Sequence, residues 1–111
     1  MSTPPLAQRK CKPCEGGVSP LPEAVARMLL QDVKGWELVG GTSLRKVIKC
    51  KDFLGAVSLI QRMAPIAEAE DHHPDLHLTG YRTLTVELST HAIKGLSEND
   101  FILAAKFDEL L

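Results

Sequence analysis

The sequence predicts an α+β domain: a four-stranded antiparallel sheet with three helices on one face, in the order α-β-β-α-β-β-α. Three observations carry that expectation. Three segments repeat apolar residues at helical spacing, and four short runs have strand character. The four runs come as two adjacent pairs, each pair flanking glycine, which is the pattern of hairpins and hence of an antiparallel sheet. The length of 111 residues suits one core and one domain.

Residues 1–20 hold four of the seven prolines and the pair Gly16-Gly17, and read as an extended N-terminal arm ahead of a single domain, 21–111. Within the arm, Cys11-Lys-Pro-Cys14 is a CxxC. It supplies two zinc ligands where a structural site needs four, and it lacks the strand-to-helix context of a redox pair. From Pro22 the pattern is helical: Val25, Met28, Leu29 and Val33 form one stripe, and Gly35 stops it. Trp36–Val39 and Leu44–Cys50 then flank Gly40-Gly41 as a hairpin, the glycines supplying the positive φ of a primed turn.

Asp52 is an N-cap for a helix from Phe53 to about Glu70, with Phe53, Val57, Ile60 and Ala64 on one face. Pro65 within it implies a kink or an irregular last turn, because proline removes one helical hydrogen bond. Pro74 enforces the exit, since a residue before proline avoids the α region. Leu76–Thr79 and Thr83–Ser89 alternate about Gly80, with Leu84, Val86 and Leu88 on the covered face and His77 exposed. Ser97 starts the last helix, which runs to Leu111, and Asp100 reads as part of its cap. That helix is apolar around most of its girth, so a homo-oligomer packed through it is expected.

Composition narrows the function classes. A formal net charge of -1 gives no reason to expect direct nucleic-acid binding. No apolar run approaches the roughly 20 residues of a membrane span. Three cysteines are an odd number for a disulfide framework, and the first residues lack a secretory signal's apolar stretch. A reducing, cytoplasmic setting is expected, or an organelle if a transit peptide has been removed.

All four histidines fall between positions 72 and 91, beside carboxylates. Glu68 and His72 are four apart, so a persisting helix would let them meet. A hairpin turning near Gly80 carries His91 back towards positions 71–74, so His72, His73 and His91 are expected to converge with Glu68, Asp71, Ser89 and Thr90. Three readings stand open. The histidines could be exposed residues at a helix C-terminus, where positive charge is favoured. They could ligate a metal, although adjacent histidines rarely both face one ion and the usual helical pair is four apart. They could be an acid–base pair working near neutral pH.

The spacing Glu68-x3-His72-His73-Pro74, six residues to Tyr81, nine to His91 and eight to Asp100, resembles the signature of the pterin-4a-carbinolamine dehydratases. Ser89-Thr90-His91, Gly95-Leu96-Ser97-Glu98-x-Asp100 and the arm CKPCEGGVSPL extend the likeness, the arm to the plant and bacterial branch. The resemblance implies dehydration of 4a-hydroxytetrahydropterin to quinonoid dihydropterin, in recycling tetrahydrobiopterin for an aromatic amino acid hydroxylase. It implies His73 and His91 as acid–base groups, with His72 sharing proton transfer or orienting the pterin and Glu68 tuning the cluster. Asp71, Pro74, Ser89 and Thr90 would contact substrate beside the histidines. No metal or cofactor is implied, since no electrons are transferred and the leaving oxygen can be protonated directly. A homodimer or homotetramer is implied too. The alternative class is a non-catalytic dimerisation cofactor, or a protein serving another pterin-dependent system.

Overall fold

The computed structural model describes residues 5–12 and 19–111. Three helices, α1 (Glu23–Leu30), α2 (Phe53–Glu70) and α3 (Glu98–Asp108), accompany four strands, β1 (Glu37–Val39), β2 (Ser43–Lys49), β3 (Asp75–Thr79) and β4 (Thr83–Leu88). The sheet is antiparallel throughout, in the order β1-β2-β4-β3. This is the predicted α+β arrangement and element order. Two 3-10 turns, Leu6–Gln8 and His91–Ile93, carry no sequence signal; each is three residues long, too short to show a period.

The alternation of β4 decides which face is covered. Leu84, Val86 and Leu88 are fully buried, and Leu44 of β2 joins them. They pack against Leu59, Met63 and Ala67 of α2 and against Phe101, Ile102, Leu103 and Phe107 of α3. Arg45, Val47, Thr85 and His77 lie on the other face, and none of them is buried. At the first hairpin Gly40 and Gly41 both take positive φ, as a primed turn requires, and the Thr42 N–H closes the turn on Val39 O (3.2 Å). At the second, the left-handed residues are Gly80 and Tyr81. Tyr81 stands exposed at the tip of the hairpin.

Two expectations fail for packing reasons. α1 ends at Leu30, short of Gly35; Ala26 is its fully buried residue, with Leu29 and Leu30 partly buried against the core. Val25 and Met28, assigned to the buried stripe, are exposed, Met28 at 69%. The stripe depends on Val33, which lies in the turn beyond the helix and is buried there. α3 does not offer its apolar girth to another molecule. Phe101 to Ala105 and Phe107 are buried within this chain, and part of their cover is the arm, whose Leu6 is 5% exposed. An interface through α3 therefore lacks a free surface.

α2 runs through Pro65 as one helix. Asp52 caps its start by accepting the Gly55 N–H (2.7 Å). Its end is a left-handed Asp71 (φ 51), with the His72 N–H bonding Ala67 O and the Asp71 N–H bonding Glu68 O. Those two bonds make a Schellman close, which normally selects glycine at the left-handed position. No helix of the described residues is long and apolar enough to cross a membrane.

Leu6 tests whether the arm is part of the fold. Leu6→Ala empties a buried site against α3 and is expected to cost about 2–4 kcal/mol, measured by denaturant unfolding. An unchanged midpoint would mean that the arm only decorates the domain.

Candidate functional site

The centre of the site is a carboxylate with no access to water. Asp100, on the first turn of α3, is 0% exposed. Its Oδ2 accepts the Ser97 N–H (3.0 Å), half of the predicted capping box, and the Thr90 hydroxyl (2.9 Å). Its Oδ1 takes His72 Nε2 at 2.6 Å. A carboxylate is an acceptor, so His72 carries its proton on Nε2, and Thr90 spends its one proton on Asp100. Ser97 Oγ, 2.8 Å from Thr90 Oγ1, must then donate to Thr90. Asp100 is thus both the cap expected of it and the anchor of a histidine, a second role that sequence spacing did not reveal.

The left-handed Asp71 turns the chain between Glu68 and the two histidines. The i, i+4 meeting of Glu68 with His72 does not occur. Glu68 Oε1 lies 2.7 Å from His73 Nε2, while His72 swings inward to Asp100. The adjacent imidazoles therefore occupy different environments: the His72 side chain is largely buried and the His73 side chain about half exposed.

His91 opens the 3-10 turn after β4 and is exposed. A short clamp fixes that turn: the Thr90 N–H bonds Gly95 O (2.8 Å), and Lys94 is left-handed between them. Gly95 is required by proximity, since a Cβ there would stand 2.7 Å from Pro20 Cβ.

His72, His73 and His91 line one open cleft of about 510 Å³ together with Asp71, Ser89 and Thr90. Convergence of the three histidines is thus seen. Thr90 stands in the wall, buried, with its hydroxyl engaged on Asp100 and Ser97. Glu68 and Pro74 belong to a smaller neighbouring hollow that shares His73. His77 stays outside, exposed on β3, 2.9 Å from Glu87. Sequence reasoning missed Cys11, Lys12, Glu70 and Asn99 in the cleft wall; no local pattern joins residues so distant in the chain. A larger groove of about 710 Å³, lined by Leu6, Arg9, Lys46 and Asp108 among others, holds no histidine. There Asp108 is occupied by Lys46 Nζ (2.8 Å) and the Trp36 indole (2.9 Å).

Cys11 is the described half of the CxxC; Cys14 lies outside the described residues. Burial, with the negative charge of Glu70 beside it, pushes the Cys11 thiol up to about 12. Such a sulfur keeps its proton at neutral pH, the opposite of a reactive redox thiol.

Comparison with known proteins gives a consistent set of relatives. A family model described as pterin 4 alpha carbinolamine dehydratase matches residues 19–110. An Arabidopsis thaliana protein named pterin-4-alpha-carbinolamine dehydratase 2, mitochondrial, is 46% identical over 109 residues, covering 95% of this chain and 58% of the plant protein. A Nitrosomonas eutropha protein named for the same dehydratase is 47% identical over 107 residues, covering 96% of this chain and 93% of its own length. The crystal structure of a transcriptional coactivator/pterin dehydratase from Brucella melitensis superposes with a TM-score of 0.77 at 31% identity, covering 83% of this chain and 98% of that one.

Two measurements follow from this geometry. Asp100→Ala strands the Ser97 N–H, the Thr90 hydroxyl and His72 around an empty buried site, and at roughly 1–3 kcal/mol for each buried donor left without a partner is expected to lose about 3–5 kcal/mol in chemical denaturation. A loss below about 1 kcal/mol, the level of an ordinary hydrogen bond, would contradict the anchor. Alkylation of Cys11 in a Cys50→Ser, Cys14→Ser background is expected to stay slow at pH 8 and to accelerate only at strongly alkaline pH. Its pKa is raised, so the thiolate is scarce until pH nears 12. A titration midpoint near the ordinary 9.0 would refute the burial argument.

Proposed function

This chain belongs to the pterin-4a-carbinolamine dehydratase family, and from that premise we propose that it dehydrates a 4a-hydroxytetrahydropterin to the quinonoid dihydropterin. The observation that carries the reading is the single cleft shared by His72, His73 and His91, with one imidazole anchored and two exposed.

Hydroxide is a poor leaving group, so the C4a–O bond breaks readily only when its oxygen receives a proton. One imidazole gives that proton and water departs. The other takes the N5 proton, and the N–H pair becomes the C4a=N5 double bond. The elimination neither gains nor loses electrons, so histidine and carboxylate side chains suffice for it. General acid–base assistance of this kind contributes roughly 10²–10⁴-fold. His73 and His91 are assigned these two roles, because both rings are exposed and reachable by substrate. Glu68, 2.7 Å from His73 Nε2, fixes which ring nitrogen of His73 remains for transfer. His72, held by Asp100, orients the pterin, and Asp71 and Ser89 supply polar contacts to the ring. Thr90 acts through Asp100. Pro74 stiffens the turn carrying both histidines.

The product serves recycling of a tetrahydropterin such as tetrahydrobiopterin, consumed by an aromatic amino acid hydroxylase. The protein works as a homodimer or homotetramer, and the exposed Phe53 and Leu54 of α2 are apolar surface that such an assembly could cover. Its setting is the cytoplasm, or an organelle if it is imported as the plant relative's mitochondrial name describes. A second reading, a non-catalytic interaction cofactor, draws on the coactivator role for which the Brucella protein is also named.

Stopped-flow dehydration of enzymatically generated 4a-hydroxytetrahydropterin separates the two. The wild-type chain is expected to outpace buffer, and His73→Ala and His91→Ala to lose about 10²–10⁴-fold each while melting almost normally. His72→Ala is expected to lose stability as well, because it removes a partner of the buried Asp100. A folded wild-type chain no faster than buffer would leave only the interaction reading.

A further inference from the structure

The arm reaches the cleft as well as the core. Cys11 and Lys12 stand in the same wall as His72, His73 and His91. They lie before residue 19, where the family model's match begins, though the relatives reported above align over 95–96% of this chain.

Two side chains hold it there. Asn99, 6% exposed, reads residue 12 from both sides: its Oδ1 accepts the Lys12 N–H (2.9 Å) and its Nδ2 donates to Lys12 O (2.5 Å). The amide thus copies the paired bonds of a strand ladder, with a side chain in place of the second strand. Glu70, on the last turn of α2, accepts the Cys11 N–H at 2.7 Å. Further back, Lys106 Nζ donates to Ala7 O (2.9 Å) and Arg9 pairs with Glu98 (3.0 Å). Asn99 immediately precedes Asp100, and Glu70 immediately precedes Asp71. The arm is therefore registered by the same two helix ends that set the histidines.

We infer that Cys11 and Lys12 form a substrate-binding wall of the pterin cleft, and that Asn99 and Glu70 are positioning residues that hold this wall at a fixed distance from the imidazoles. The inference rests on the dehydratase reading for its substrate. The wall takes no part in proton transfer. Its loss weakens binding and leaves the chemical step alone, as removal of uniform binding does.

The test uses the full chain and two variants. Asn99→Ala removes both bonds to residue 12. Lys12→Pro deletes the N–H that Asn99 accepts together with the Lys12 side chain of the wall, and leaves α3 untouched, which covers the case in which Asn99→Ala fails to fold. Three quantities are read: kcat and KM for dehydration, the dissociation constant of 7,8-dihydrobiopterin as a non-reacting probe, and deuterium uptake of peptide 5–12 with and without the probe. The expected result is a rise of about tenfold in KM and in the probe's dissociation constant, with kcat within about twofold. In the wild type, the probe slows exchange in peptide 5–12; in the variants it does not. Folded variants with wild-type KM and probe affinity overturn the wall while leaving the dehydratase reading intact. A wild-type chain that binds the probe but does not accelerate dehydration overturns the catalytic reading alone, and the wall is then decided by probe affinity and exchange. A wild-type chain that does not bind the probe overturns the wall.

Discussion

A buried carboxylate has to be surrounded by donors, and in this protein that requirement organises everything near the cleft. Asp100 collects the Ser97 N–H, the Thr90 hydroxyl and the His72 ring. The three donors come from the start of α3, the exit of β4 and the exit of α2. Removing any one of these segments from its place would leave a charge in an apolar interior, where desolvation is costly. A buried polar cluster of this kind adds little net stability, since each hydrogen bond replaces one to water. What it does here is geometric: it joins three chain segments that hold the histidines, and only one arrangement satisfies it.

Much of this was legible in the sequence because it depends on local period and turn chemistry. The alternation in β4, the paired glycines and the capping residues Asp52 and Ser97 each state a local preference that the fold obeys. The exceptions involve contacts between distant segments. The apolar girth of α3 signals burial, but it does not say whether a second molecule or the chain's own arm supplies the cover; Leu6 supplies part of it. The stripe on α1 held only in part: Leu29 and Val33 meet the core, but small Ala26 does so in place of Val25 and Met28. Hydrophobic residues are often left in solvent on small domains, so an exposed methionine carries little information.

The misjudged partner of Glu68 is more instructive. Helical spacing predicted His72, and the spacing would have held if the helix had continued. A single residue in the left-handed region redirects the next two side chains, sending His72 inward and His73 out. Asparagine and aspartate tolerate that region better than most residues, so Asp71 before two histidines is a signal in retrospect. It becomes readable only beside the Schellman bonds to Ala67 and Glu68. The three histidines of the cleft could thus be named from the sequence, while their pairing could not.

The left-handed aspartate also bears on how such a chain can be improved. Glycine would fit this corner with less backbone strain, and corners of that kind are where protein engineers look first for gains in heat resistance. Here the corner also contributes a carboxylate to the cleft. Natural variation and laboratory selection for thermal tolerance should therefore pull this position in opposite directions. A thermally hardened descendant carrying glycine there would keep its shape while changing the lining of the cleft.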